Sequence, residues 1–177
     1  MILRAAALLL AFALPATAQV PEPAGFRGPP YSAPVPATLA GATVIDGKQA
    51  VAMHARGVMF IDVYPRTRKP QGLPQGTIWR ESRHQTIPGA LWLWDTGYER
   101  LADAEQARLA AGLQQASSGD RAAPLVIFCR ADCWQSWNAG KRAVAMGYTG
   151  VHWFPGGTEA WQAASGDDLV DADPVQP

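Results

Sequence analysis

Cysteine is scarce in this chain, since Cys129 and Cys133 are the only two among 177 residues. Small secreted domains that depend on disulfides for stability carry many more, so the sequence excludes a disulfide-dense scaffold. A tetrahedral zinc site needs four ligands, and the three histidines are too scattered along the chain to complete one with this pair. We therefore expect no metal and no cofactor.

An excess of charge of either sign is also lacking. Lysine and arginine together number 15, aspartate and glutamate together also number 15, and the formal net charge is zero at pH 7. Proteins that bind the phosphate backbone usually present a surplus of basic residues. The balance therefore predicts that nucleic acid is not a partner.

The chain lacks an uninterrupted apolar run of the roughly 20 residues that cross a bilayer. Its start instead has Arg4, an apolar stretch over residues 5–14, Pro15 and the small residues Ala16-Thr17-Ala18. This pattern predicts a secretory signal peptide over residues 1–18, export to the periplasm and a mature chain without a membrane span. Loss of Arg4 leaves 14 basic against 15 acidic residues, a formal net charge of about −1.

Composition divides the remaining chain into three parts. Residues 19–41 are dominated by proline, glycine and alanine, which favours neither helix nor sheet, and we predict an arm that lies extended on the domain or stays mobile. Residues 42–164 have the length of one domain with a proper core. Residues 165–177 are acidic and end in proline, and we predict a loose tail.

Apolar runs alternate with helical patterns along the predicted domain. The run over residues 58–63 shows no polar alternation, which is typical of a strand buried on both faces of a parallel sheet. The alternation predicts an α/β fold, a single domain with a central, mainly parallel five-stranded sheet flanked by helices. Strands are expected at 42–45, 58–63, 91–94, 124–128 and 151–154, and helices at 49–53, 103–115, 136–146 and 158–164.

The two thiols follow the strand that ends at Phe128, and the carboxyl ends of parallel strands are where reactive groups collect. A helix start nearby and the cation of Arg130 favour a thiolate at Cys129. If the segment turns, the two Cα atoms can approach within the roughly 4.4–6.8 Å that a disulfide needs. A reversible and a structural disulfide both fit, although closing so short a loop stabilises the chain little.

Residues around the thiols are candidates for contact with a substrate. Trp134 either packs in the core or faces a ligand or partner. Asp62, at the end of a buried strand, is expected to accept hydrogen bonds that fix a loop, with His84 as a second supporting residue. The complete set of candidate substrate-binding residues is Arg130, Ala131, Asp132, Trp134, Gln135, Ser136 and Trp137.

Four motifs in this order resemble the rhodanese family over residues 42–164. They are Phe60-Ile61-Asp62-Val63, His84 with Ile87-Pro88-Gly89-Ala90, Val126-Ile127-Phe128-Cys129, and Gly147-Tyr148 with Gly156-Gly157 and Trp161. The resemblance implies a rhodanese-like domain in which Cys129 is the sulfur-accepting cysteine. Family members usually place an arginine and then a serine or threonine five and six residues later, where this chain has Trp134 and Gln135. Phosphate and arsenate chemistry needs that arginine and is not expected.

The cysteine motif with Trp134 is also similar to that of an exported rhodanese-like subgroup associated with PQQ-dependent alcohol catabolism. The resemblance implies a periplasmic sulfurtransferase or thiol-disulfide oxidoreductase. The Cys129 thiolate would attack a sulfur donor or a disulfide, and Cys133 would resolve the persulfide or mixed disulfide. The alternative is a non-catalytic accessory that binds a quinoprotein dehydrogenase, its cytochrome or its quinone cofactor through Trp134, Trp137 and the arm.

Overall fold

A computed structural model describes residues 20–175, so the signal peptide predicted for residues 1–18 lies outside the described part. Within residues 20–175, none of the helices is long and apolar enough to cross a membrane. In chain order the elements are β1 (Thr43–Val44), α1 (Gly47–Ala55), β2 (Met59–Asp62), β3 (Gln85–Thr86), β4 (Leu91–Trp92), α2 (Asp103–Ala116), β5 (Leu125–Phe128), α3 (Trp134–Ala145), β6 (Val151–Phe154), α4 (Gly157–Ser165) and β7 (Val170–Asp171).

The central sheet has five parallel strands in the order β1-β6-β5-β2-β4, which confirms the predicted α/β fold. Side chains alternate between its two faces. Ile61 and Ile127 pack with residues of α2 and α3, whereas Phe60 and Phe128 pack with residues of α1 and α4. Helices therefore cover both faces, which explains why β2 and β5 are continuous apolar runs.

The starts of helices α1 and α3 are well defined, and α3 starts earlier than predicted. Asp46 caps α1, because it accepts from the N–H of Gln49 and the Gln49 side chain accepts from the N–H of Asp46. Helix α3 begins at Trp134, two residues before the predicted start, and Cys133 is its N-cap. The second thiol therefore belongs to the helix start and not to a loop ahead of it.

The proline-rich arm lies on the domain, the first of its two predicted arrangements. Indole Nε1 of Trp134 donates to the carbonyl of Pro34 at 3.1 Å, and Nε1 of Trp137 donates to the carbonyl of Thr38 at 3.2 Å. Nζ of Lys141 donates to the carbonyls of residues 23 and 24 at 2.8 Å. Proline lacks an N–H but keeps its carbonyl, so donors from α3 can hold an arm that forms no helix or sheet of its own.

The acidic tail differs from the predicted loose segment over residues 170–175. Strand β7 pairs antiparallel with β3, and the N–H of Val175 donates to the carbonyl of Trp92 at 3.1 Å. Asp171 forms an ion pair with Arg83 at 2.8 Å. Ordered backbone pairing and this ion pair fix a segment whose composition alone indicated a solvated end.

Candidate active site

The two cysteines form a disulfide at the carboxyl end of β5. Cys129 follows Phe128 directly, Cys133 caps α3, and their Cα atoms are 6.2 Å apart. The turn between them is sharp because Asp132 has φ 51°, a left-handed conformation that aspartate tolerates better than most residues. The chain thus folds back within four residues and brings both sulfurs to one point.

The start of α4 supports this turn from the other side. The N–H of Thr158 donates to the carbonyl of Cys129 at 3.2 Å. Gly157 has φ 52°, and a Cβ at this position would lie 2.4 Å from the carbonyl oxygen of Cys129 and 2.6 Å from the carbonyl carbon of Arg130. Only a residue without a side chain allows the two backbones to approach this closely.

Glu159 places a negative charge against residues 129–133, which we call the cysteine loop. Its carboxylate accepts from the N–H of Ala131 at 2.8 Å and from Nε of Arg130 at 3.1 Å. Burial opposes ionisation of Glu159, but hydrogen bonds from the N–H of Ala131 and its own N–H, together with Arg130, outweigh burial and lower its pKa. The N–H of Ala131 is therefore already hydrogen-bonded to a carboxylate of the protein itself, that of Glu159. Sequence reasoning missed Glu159, which follows Gly156-Gly157 and is 30 residues beyond Cys129.

The arm pairs with the cysteine loop through an isolated antiparallel bridge between Ser32 and Cys133. The N–H of Ala33 donates to the carbonyl of Asp132 at 3.0 Å, and the N–H of Trp134 donates to the carbonyl of Tyr31 at 2.9 Å. The arm thus fixes the backbone on both sides of Cys133.

A cavity of about 400 Å³ lies beside this bridge. Cys133 is among its lining residues and Cys129 is not. Cys129 is 1 % exposed and Cys133 is 6 % exposed. Of the two cysteines, Cys133 is therefore the one at the cavity. The other lining residues are Tyr31, Ser32, Tyr64, Pro65, Tyr98, Arg130, Ala131 and Gln135.

Three tyrosines give the cavity aromatic walls. The ring centroids of Tyr31 and Tyr98 are 5.5 Å apart, and the Tyr31 hydroxyl accepts from the N–H of Glu99. Burial, reinforced by the negative charge of Asp95, raises the pKa of Tyr98 to about 12, so this hydroxyl is neutral at pH 7. A hydrogen bond with Tyr64, and then the pairing with Glu159, raise the pKa of Arg130. Arg130, the only cation among the described residues that line this cavity, is thus already engaged.

Gln135 contacts the sulfur of Cys133. Its Oε1 lies 3.6 Å from Sγ of Cys133, and its buried Nε2 has no hydrogen-bond partner among residues 20–175. A disulfide sulfur carries no hydrogen, so it can accept a hydrogen bond but cannot donate one. A half-turn of the carboxamide exchanges its oxygen and nitrogen, which points an N–H at the sulfur. Gln135 is thus the side chain able to donate to Cys133.

Three other predicted substrate-binding residues have partners inside the protein. Trp134 and Trp137 are 4 % and 0 % exposed and are covered by the arm. The Ser136 hydroxyl donates to the carbonyl of Cys133 at 2.9 Å and accepts from Nε1 of Trp153 at 3.0 Å. The structure therefore brings Arg130, Ala131 and Gln135 to the cavity but not these three. Asp132 is exposed at the turn beside it.

Asp62 and His84 form a pair beside Tyr64. Oδ2 of Asp62 accepts from the Thr86 hydroxyl at 2.6 Å and lies 2.7 Å from Nε2 of His84, while Oδ1 accepts from the N–H of Tyr64 at 2.8 Å. The His84 ring stacks on Tyr64 with 4.9 Å between centroids. The pair therefore fixes the cavity wall at Tyr64, and within residues 20–175 neither member forms a hydrogen bond with a cysteine.

A family described as a rhodanese-like domain matches residues 48–164 of the chain. Most of the folded part, including both cysteines, lies within this range, and the arm lies before it. A search of curated proteins found no match.

Proposed function

Since the chain belongs to the rhodanese-like domain family, which indicates sulfur transfer or thiol chemistry in general, we propose that it exchanges thiols and disulfides through the Cys129–Cys133 bond. The observation that carries this proposal is the bonded pair with one of its members, Cys133, at the wall of a cavity. A substrate thiol that occupies the cavity meets the sulfur of Cys133 first.

In the oxidised protein, a substrate thiolate attacks Sγ of Cys133. The S–S bond breaks, Cys129 leaves with the electron pair as a thiolate, and a mixed disulfide joins the substrate to Cys133. A second substrate thiolate attacks the substrate sulfur of this mixed disulfide and releases a substrate disulfide and the reduced pair. This order differs from the sequence-based prediction, in which Cys129 attacks and Cys133 resolves, because Cys133 is the sulfur at the cavity.

The cysteine loop supports exchange with a thiol better than capture of an anionic sulfur donor. The Glu159 carboxylate already accepts from the N–H of Ala131 and pairs with Arg130. An incoming anion such as thiosulfate would have to displace this internal carboxylate. A neutral substrate surface around a thiol meets no such competition.

We also propose that the protein works in the periplasm. The signal-peptide pattern of residues 1–18 supports export, and a disulfide persists in an oxidising compartment. The association with PQQ-dependent alcohol catabolism stays a prediction from the cysteine-tryptophan motif. The accessory-protein alternative stays a prediction that would use the arm as its contact surface, because Trp134 and Trp137 are buried beneath the arm.

The two single-cysteine variants test the proposal. After reduction, we expect Cys129→Ser, which keeps Cys133, to form a mixed disulfide with a small aromatic disulfide about tenfold faster than Cys133→Ser, because exposure limits the reaction. Intact mass spectrometry over time measures both rates. Wild-type protein treated with thiosulfate is expected to gain no sulfur. Equal rates would contradict the proposed order, in which Cys133 is attacked first. A stable gain of one sulfur on Cys129 would contradict disulfide exchange and indicate persulfide transfer.

A second prediction concerns Gln135. In the Cys129→Ser background, Gln135→Leu is expected to raise the pH midpoint of Cys133 alkylation by roughly half a unit to one unit, because an N–H donor stabilises a thiolate. Gln135→Glu is expected to raise it further through repulsion. Gln115→Leu, which changes an exposed glutamine of α2, serves as the matched control. A midpoint that is the same in all four proteins would show that the carboxamide does not act on the sulfur.

A further inference from the structure

A second cavity, of about 470 Å³, lies between α2 and the segment that follows β2. Arg108 of α2 is 4 % exposed and lines this cavity. Its guanidinium carbon lies over the indole of Trp94, 3.4 Å from the ring centroid, and Nη1 donates to the carbonyl of Trp94 at 3.2 Å. Its Nε is buried and has no hydrogen-bond partner in the described part of the chain.

Arg108 is a buried cation without a neutralising anion. Among residues 20–175, no carboxylate forms an ion pair with it. Burial lowers the pKa of Arg108, and the more distant charges of Asp95 and Glu105 oppose that shift without cancelling it. Buried charges in proteins are normally paired, so this arrangement is costly unless an anion completes it.

The carboxylates nearby are already engaged by other cations. Glu81 forms a two-point ion pair with Arg66, in which Nη2 is 2.9 Å from Oε2. Asp95 accepts from Nε of Arg68 at 3.1 Å, and Glu105 accepts from Nη2 of the same arginine at 3.2 Å.

Lys69 is the second cation of this wall without such a partner. It lines the cavity, is exposed, and forms no ion pair in the described part of the chain. Arg68 pairs with both Asp95 and Glu105, so this group of side chains keeps a net charge of one positive. Lys69 and Arg108 are the two cations of the wall that lie outside the ion pairs of the described residues.

We propose that this cavity binds a small organic dicarboxylate, with one carboxylate on Arg108 and the other on Lys69. A guanidinium and an ammonium both form strong charge-assisted hydrogen bonds with carboxylate oxygens. The volume exceeds that of an inorganic tetrahedral anion and leaves room for a short carbon chain beside Trp94. The site is separate from the disulfide cavity and does not depend on thiol exchange.

Isothermal titration of the oxidised protein at low ionic strength tests this site, with succinate, glutarate, sulfate and acetate as probes. We expect a dicarboxylate to bind more tightly than acetate and the affinity to fall as salt is added. Arg108→Gln and Lys69→Gln are each expected to weaken dicarboxylate binding about tenfold, since each removes one charge-assisted contact. Arg100→Gln, an exposed arginine outside the cavity, keeps the net charge of these variants and is expected to bind as the wild type does.

Arg108→Gln changes a buried residue of α2 and can disturb the helix. Lys69→Gln still tests the site in that case, because an exposed lysine can be changed without loss of packing. An absence of binding heat with both dicarboxylates would overturn the proposal. Equal weakening by Arg100→Gln would do the same, because it would show a general effect of net charge. Sulfate that binds as tightly as either dicarboxylate would overturn the assignment to an organic ligand.

Discussion

Trp137→Ala is expected to lower the free energy of unfolding by about 3–5 kcal/mol, the usual cost of emptying a fully buried tryptophan site. Trp137 is completely buried, its ring is 5.5 Å from that of Trp134, and its Nε1 holds the arm through the carbonyl of Thr38. The substitution opens a cavity and removes one attachment of the arm. Urea unfolding followed by circular dichroism measures the loss.

Trp79→Ala is the matched control, because Trp79 is only half-buried in the segment between β2 and β3. We expect its cost to stay below about 1 kcal/mol. Limited proteolysis supplies a second measurement, since Trp137→Ala should make residues 20–38 cleavable at protease concentrations that leave the wild type intact. Similar unfolding curves for the two variants would contradict the role assigned to Trp137.

Gly157→Ala is expected to destabilise the protein by about 2–5 kcal/mol, the sum of a left-handed backbone and a steric clash. The added Cβ would lie 2.4 Å from the carbonyl oxygen of Cys129, and neither partner is a flexible side chain. The cysteine loop must therefore move, and we expect exchange by Cys133 to slow as well. Thermal unfolding and the mixed-disulfide rate measure the two effects.

Gly166→Ala separates the clash from the backbone strain. Gly166 also has a positive φ, 74°, but an added Cβ there meets nothing within 4 Å. Its expected cost is the left-handed penalty alone, about 1–2 kcal/mol, with an unchanged exchange rate. If both variants lost the same stability and kept the same rate, the close approach of α4 to the cysteine loop would have no mechanical importance.

The sheet and its helices could be predicted because their signals are local. The apolar run of β2, the helical pattern of α2 and the cap at Asp46 each depend on residues within one turn or one strand. The spacing of Cys129 and Cys133 likewise limited the distance between them. It could not decide which sulfur faces outwards, since that depends on segments far away in the chain.

The cavity wall could not be predicted for the same reason. Tyr31, Tyr64 and Tyr98 meet at Cys133 only after the arm, the sheet and α3 are packed. Glu159 reaches the cysteine loop because α4 starts against it, and no periodic pattern indicates that contact. The pairing of the tail with β3 was not predicted, because it consists of backbone hydrogen bonds and acidic side chains do not indicate a strand.

The order of synthesis gives the arm a further consequence. Tyr31 and Pro34 leave the ribosome well before the helix that holds them, because about 100 residues separate Pro34 from Trp134. Such distant contacts form late in folding, after local helices and neighbouring strands. Cys129 and Cys133 are therefore uncovered while the chain folds, and oxidation can join them before the arm closes over the finished bond.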